Sequence, residues 1–303
     1  MKILVTGAAG FIGSHLVDKL VELGHEVMVI DDLSNGKEEN LNPKAHFLQE
    51  DISKDSFLDD SRNMFSPIGG TLLGIDYIFH LAAIPRVPYS IEHPTETHRV
   101  NVNGTFNILK IAKEYKVKKL IFASSSSVYG DQGLPLKETM IPQPISPYAL
   151  HKQIGEQYLR MFNLVYGLPT LSLRFFNVYG KRADPESEYS LVIAKFKKLK
   201  AEGKPLTIYG DGEQTRDFTY VDDVVDACIL AMEKPVQNKI INICNGKQTS
   251  INEIADLIGG KKAYCPPRKG DLLHTLGDNT KVKSLLGWQP KISVEEGIKL
   301  LEE

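Results

Sequence analysis

A chain of 303 residues, 42% of them hydrophobic, is long enough to bury a core in one large domain or two unequal ones. Its formal net charge of -2 gives no general attraction to nucleic acid or to an anionic membrane, and no apolar run approaches the roughly 20 residues that span a bilayer. The three cysteines, Cys228, Cys244 and Cys265, lack metal-ligand spacing and come in an odd number, so no metal site is expected, and free thiols in a cytoplasmic setting are.

The N-terminus enters a strand, Lys2–Val5, and then a glycine loop, with no room for a signal peptide. Short apolar or β-branched runs continue at Glu26–Ile30, Ala45–Gln49, Tyr77–Leu81, Lys119–Ala123 and Thr170–Phe175. Between them lie helical patterns near Ile12–Leu23, Thr95–Tyr115 and Tyr148–Tyr166. This alternation predicts an α/β fold, a doubly wound parallel sheet covered on both faces. Residues 61–74 read as a surface loop. The rhythm weakens after about residue 176, where short strands such as Pro205–Tyr209 and Lys239–Ile243 and a closing helix near Ser293 suggest a second, smaller mixed lobe. The predicted division is therefore a dinucleotide-binding domain over 1–176 and a substrate lobe over 177–303, with a stretch near 213–240 returning to the first.

The loop Thr6-Gly7-Ala8-Ala9-Gly10-Phe11-Ile12-Gly13 joins the first strand to the first helix. Glycine is needed there for a tight or left-handed turn, for a diphosphate to approach the main chain, and for close helix–strand packing. The helix start offers unpaired N–H groups and a partial positive charge to an anion. Asp31 ends the second strand, placed to accept from ribose hydroxyls and to repel a 2′-phosphate, which favours NAD over NADP.

Farther along, Tyr148 and Lys152 are spaced to share one helical face. Ser124-Ser125-Ser126-Ser127 follows the fifth strand, at the end of the sheet where open α/β folds place ligands. Removing a proton and a hydride from a carbinol needs a base, and tyrosine, with an ordinary pKa of about 10, needs help. A neighbouring ammonium and a positive nicotinamide ring would each favour phenolate.

The spacing Gly-x-x-Gly-x-x-Gly, Asp51-Ile52, His80-Leu81-Ala82-Ala83 and Asn101-Val102-Asn103-Gly104-Thr105, taken in order, resemble the extended short-chain dehydrogenase/reductase family, a Rossmann-type fold. The similarity is to its UDP-glucose / UDP-N-acetylglucosamine 4-epimerase group. The resemblance implies cofactor contacts from Gly7, Gly10, Phe11, Ile12, Gly13, Asp31, Asp32, Asn35, Gly36, Asp51, Ile52, Leu81, Ala82, Ala83, Asn101, Tyr148 and Lys152. It also implies Ser125 as the catalytic hydroxyl beside Tyr148 and Lys152, and a homodimer built by pairing the Thr95–Tyr115 and Tyr148–Tyr166 helices.

The same resemblance places a UDP-sugar on Asn177, Tyr209, Arg216, Arg268 and Asp271. Arginine suits a diphosphate because its planar fork keeps its charge. Dehydratases would carry an Asp-Glu pair at Ser126-Ser127, and decarboxylases a Glu at Ser127, so redox without elimination is the expectation. Thr275, where glucose-restricted relatives carry a bulkier residue, would leave room for a 2-acetamido group, as Lys181-Arg182-Ala183-Asp184-Pro185 with Tyr189 also suggests. Arg86, in place of a small residue, would either read a C6 carboxylate or join the two lobes. The alternatives are a uronate epimerase, a sugar reductase and a non-catalytic NAD-binding protein.

Overall fold

The computed structural model describes residues 1–54, 56–57, 74–185, 191–267 and 272–302. The first half contains β1 (Lys2–Thr6), α1 (Phe11–Glu22), β2 (Glu26–Asp31), β3 (His46–Gln49), β4 (Tyr77–His80), α2 (Val87–Glu92), α3 (Pro94–His98), a π-helical turn (Arg99–Gly104) and α4 (Thr105–Glu114). β5 (Lys119–Ser125), α5 (Pro147–Tyr166) and β6 (Thr170–Phe175) complete it. Then follow β7 (Val178–Tyr179), α6 (Val192–Ala201), β8 (Leu206–Tyr209), β9 (Thr215–Arg216), β10 (Thr219–Tyr220), α7 (Val221–Glu233) and β11 (Lys239–Ile243). The chain closes with β12 (Thr249–Ser250), α8 (Ile251–Ile258), β13 (Lys262–Cys265), α9 (Thr280–Leu286) and α10 (Val294–Leu300).

Seven strands form one sheet in the order β11-β6-β5-β4-β1-β2-β3, every pair parallel. Side chains alternate across it as the strand period requires. Ile3, Val5, Val27 and Val29 enter a core shared with α1 and α7, while Leu4, Met28, Ile30 and Ile78 enter a second core with α4 and α5. Burial on both faces explains why these strands read as unbroken apolar runs. Gly155 brings α5 against the sheet, since a Cβ there would come within 2.6 Å of the Phe122 ring. The strand order reverses between β1 and β4, so the crevice at their carboxyl ends is where this topology receives ligands.

One expectation needs correction. Lys239–Ile243, read as a strand of the smaller lobe, is the edge strand β11 of the large sheet, paired with β6. Its apolar residues fit a doubly covered sheet, but nothing local reveals which sheet receives it. The helix expected at Thr95–Tyr115 forms as one run of α3, the π turn and α4, the π turn widening it at Asn101. There the Asn101 amide accepts from the Ile84 N–H at 2.8 Å and donates to the Ile84 carbonyl at 3.1 Å. Beyond Phe176, three two-stranded pairs, β10-β7, β12-β9 and β13-β8, form the smaller sheets. Of the 61–74 loop only Gly74 lies within the described residues.

Candidate active site

The glycine loop is built by close backbone approach. Gly7 has φ +74, and a Cβ there would lie 2.6 Å from the Ala82 nitrogen. A Cβ on Gly13 would strike the Gly7 carbonyl oxygen at 2.1 Å. α1 opens at Gly10 with no side-chain cap, which leaves the donors of its first turn, at Phe11 and Ile12, for a ligand. Such a bare, uncapped cradle fits the diphosphate of a dinucleotide. Asp31 accepts from the Ala9 N–H and the Leu33 N–H, each at 2.9 Å, so its carboxylate is fixed at the end of β2. Burial raises its pKa against the pull of those two donors. Gly36 packs against Ala9 and Asp31, and Asp32 folds its own turn by accepting from the Ser34 N–H at 2.9 Å. The Asn35 side chain is directed to the Ser34 hydroxyl at 3.4 Å.

Asp51 is partly buried, yet hydrogen bonds from Ser53 and from Arg99, at 2.8 Å, hold its carboxyl below the usual range. Ile52 is buried and packs against Gly104. Leu81 and Ala82 are tied to β1 through the Thr6 carbonyl and hydroxyl, at 3.1 and 3.3 Å. Ala83 continues the same strand end toward Ile84. Beneath them runs a buried polar chain that the sequence did not announce. His80 sits between the Thr6 hydroxyl at 2.7 Å and the Thr105 hydroxyl at 2.9 Å, and Thr105 donates to the Asn101 carbonyl at 2.7 Å. Burial, with the Lys152 charge nearby, pushes the His80 pKa down to about 3, so its ring is a neutral bridge. Asn101 therefore acts here on backbone, supporting the floor of the crevice.

Tyr148 and Lys152 lie on one buried face of α5, and Ser125 ends β5 opposite them. Lys152 Nζ donates to the Ala123 carbonyl at 2.7 Å and stands 4.8 Å from the Phe122 ring centroid and 5.8 Å from that of Tyr148. Ser125 Oγ accepts from the Ser127 hydroxyl at 2.9 Å and is hydrogen-bonded to Tyr148. Two serine hydroxyls thus lead to the phenol. The Tyr148 N–H is itself held, at 3.1 Å, by the Ser90 hydroxyl on α2, a partner no motif pointed to.

The charge state departs from the sequence expectation. Burial pushes Tyr148 up to about 12, with the Ser125 hydrogen bond acting against it, and burial pushes Lys152 down to about 7, with Glu156 acting against it. Desolvation disfavours both ions, and Lys152 by itself does not bring the phenol toward neutrality. A third buried group shapes the same helix. Glu156 forms a bidentate pair with Arg174, at 2.8 and 2.7 Å, and accepts from Ser124 at 2.6 Å.

The expected sugar-nucleotide residues are only partly assembled. Thr275 is buried with its hydroxyl 3.5 Å from Asn177 Oδ1, so these two meet. Arg216 turns its guanidinium to the carbonyls of Thr215, at 2.8 Å, and Leu273, at 3.3 Å. Tyr209 lies on β8 beside β13, whose Cys265 precedes the 268–271 stretch. Arg268, Asp271 and Tyr189 lie outside the described residues. Arg86 is ion-paired with Asp184 at 3.2 Å. Asp217, which follows Arg216 in the chain, is fully buried and accepts from the N–H groups of Asn245, Gly246 and Gly277 at 2.8, 3.0 and 3.0 Å.

A dinucleotide cradle at the switch point of a parallel sheet, with Ser, Tyr and Lys gathered at the adjoining strand end, defines a nicotinamide-dependent enzyme of the Rossmann class. Matches to known proteins narrow this. The model of the NAD dependent epimerase/dehydratase family matches residues 3–244, and the chain belongs to that family, whose cofactor is NAD. A UDP-glucose 4-epimerase of Mycolicibacterium smegmatis is 40% identical over 311 residues, spanning 98% of this chain and 96% of that one. The crystal structure of a UDP-glucose 4-epimerase with UDP-glucose from Thermotoga maritima superposes with a TM-score of 0.93 at 43% identity, covering 99% and 97% of the two chains. A UDP-N-acetylglucosamine 4-epimerase from Methanobrevibacter ruminantium in complex with UDP-N-acetylmuramic acid gives a TM-score of 0.90 at 36% identity, covering 99% and 98%.

Proposed function

We propose that this chain is a UDP-hexose 4-epimerase acting on UDP-Glc/UDP-Gal, with room at Thr275 for UDP-GlcNAc/UDP-GalNAc. The observation that carries the reading is the cluster of Ser125, Tyr148 and Lys152 beside the cradle, with serines and no carboxylate at 126 and 127. The residues that would hold NAD are those of the Gly7–Gly13 loop, Asp31, Lys152 and the floor above Asn101. When bound, NAD supplies the hydride acceptor and later donor for carbon four, and a positive charge that favours the Tyr148 phenolate.

In this reading Tyr148 takes the proton of the 4-hydroxyl, with Ser125 hydrogen-bonded to the same oxygen and passing charge toward Ser127. Lys152, anchored on the Ala123 carbonyl, fixes the electrostatics of the phenol. The 4-keto sugar turns about its phosphate link and so presents the opposite face of carbon four for the returning hydride, and Tyr148 gives the proton back to the 4-oxygen. No acid is placed for water elimination, so redox is not followed by loss of hydroxide. Arg216 and Arg268 would hold the diphosphate, with Asp271 and Tyr209 toward the nucleoside and Asn177 toward the sugar. Residues 1–176, joined by α7 and β11, would form the NAD-binding domain, and most of the remainder the sugar-nucleotide lobe. The cytoplasmic placement rests on the three free thiols alone.

Tyr148→Phe should lower turnover by roughly 10²–10⁴-fold while the purified protein keeps its NAD. NMR of UDP-Glc and UDP-GlcNAc incubated separately without added NAD reads this directly; near-normal turnover by the variant removes Tyr148 from the mechanism. A homodimer through α4 and α5 belongs to the same proposal. Leu150, Leu164, Val165 and Tyr166 are exposed on α5, and a 440 Å³ concavity is lined by Leu150, Gln153, Ile154, Gln157, Tyr158 and Met161. Light scattering that finds only monomer overturns that part.

A further inference from the structure

Arg86 and Asp184 come from segments far apart in sequence, and each follows or precedes residues that are anchored to a helix. Arg86 directly precedes α2, and one turn later Ser90 of α2 accepts the N–H of Tyr148. Asp184 ends the segment that leaves Asn177 through β7. That segment is pinned to α1 twice, by Arg182 on Asp18 at 2.7 Å and by the His15 ring on the Lys181 carbonyl at 2.9 Å. The contact between Arg86 and Asp184 therefore joins the helix that seats the catalytic phenol to the wall that begins at Asn177. Both side chains are half-buried, at 22% and 35% exposure, so the pair is partly shielded from water.

In one of the two orientations that the turning sugar takes, a hexose whose carbon four faces Tyr148 directs its carbon-five substituent toward the wall that begins at Asn177. We infer that Asp184 is a specificity-determining residue: by occupying Arg86 it makes this wall accept a neutral C6 hydroxymethyl group and reject a C6 carboxylate. This rests on the epimerase reading and names the class of hexose within it. Without Asp184, the guanidinium would be the natural fork for a uronate carboxylate. With it, an incoming carboxylate meets a like charge held beside Arg86, and must displace Asp184 to gain what the pair already has. Specificity of this kind is a difference between two affinities, and the repulsive partner does much of the discriminating. The departure at Arg86 thus gains a role opposite to the one its charge suggests.

The test compares UDP-glucose with UDP-glucuronate in the NAD-containing protein, using wild type, Asp184→Asn, Arg86→Gln and the double variant. Asp184→Asn should raise the ratio of kcat/KM for UDP-glucuronate over UDP-glucose by about tenfold, which is about 1.4 kcal/mol of selectivity. The double variant should lose that gain, because the freed guanidinium is what binds the acid. A ratio that stays within about twofold of wild type in Asp184→Asn, or a gain that survives Arg86→Gln, overturns the proposal. Should wild type turn over neither sugar, the epimerase reading fails, while calorimetric Kd values for the two nucleotides still give the same ratio test. Both residues are partly exposed, so the variants should fold, and a thermal melt checks this.

Discussion

The two sides of the crevice are made rigid by different means. On the cofactor side the decisive residues have almost no side chain: Gly7 and Gly13 let three backbone segments touch, and Asp31 fixes the Ala9 amide from the end of β2. On the substrate side the candidate residues are Asn177, Tyr209, Arg216 and Thr275, and a buried carboxylate, Asp217, ties the Arg216 segment to those of Asn245–Gly246 and Gly277 by taking N–H groups from residues 28, 29 and 60 positions away. One wall is fixed by what fits between backbones, the other by a polar side chain with distant partners. The glycines that the first needs form a local motif, although Ala82 and Asp31 reach them from other strands; the second has no local motif and exists only in the completed fold.

The strongest way to break this contrast is at Gly7. Gly7→Ala places a side chain on a left-handed backbone, worth roughly 1–3 kcal/mol of strain, and drives it into Ala82. The variant should purify with almost no NAD by absorbance and lose turnover accordingly. Gly24 is the control, with φ +77 but nothing within 4 Å of the added carbon. Gly24→Ala should show only the strain, about 1 kcal/mol, and keep its cofactor. Equal NAD content in the two variants would mean that backbone approach does not shape the cradle.

The same contrast explains what could be read from the amino acids alone. All six strands expected before residue 176 form within a residue or two of their expected limits, because the doubly covered interior strands leave long apolar runs in the chain, while the edge strand β3 is short and mostly exposed. The glycine loop, Asp31 and the Tyr148–Lys152 spacing were legible for the same reason, being local. Illegible were the π turn at Asn101, the seat that Ser90 gives Tyr148, and the burial that sets the charge of Tyr148 and Lys152. Each depends on a partner brought by tertiary packing. Arg86 could be singled out from the chain, but its partner Asp184 lies 98 residues away, and the sign of its effect follows from that partner.

Asp217 sharpens the comparison through pH. Burial pushes its pKa up to about 6 from 3.8, outweighing three backbone donors. In the window between those values the folded state holds more protons than the unfolded chain, so this group makes stability fall as pH rises through it. The expected size is on the order of 3 kcal/mol, spent between about pH 4 and pH 6. Asp217→Asn lacks the titration, so urea unfolding should show wild type losing ground to the variant as pH rises from 4.5 to 7.5. Asp31 and Asp223, also raised by burial, have the same sign but cancel in that difference. A gap that does not move, or that moves the other way, would mean the three N–H groups dominate and Asp217 is ionised throughout.

The smallest expected effect separates stability from positioning with matched chemistry on the two sides. Ser146 caps α5 and Ser293 caps α10, each hydroxyl accepting the N–H three residues on at 3.2 Å. Replacing either by alanine should cost about 1 kcal/mol, read as similar shifts in denaturation midpoint. Their catalytic consequences should differ. Ser146 sets the start of the helix in which Tyr148 is the second residue, so Ser146→Ala should lower kcat severalfold with little change in KM. Ser293 lies at the closing helix, and its variant should keep wild-type kcat. If both variants lose activity alike, the loss travels through stability and the cap has no positioning role. If neither does, the Ser90 hydroxyl and the Lys152 anchor on Ala123 are sufficient to seat the phenol, and the cofactor side is then held more redundantly than the substrate side that depends on one carboxylate.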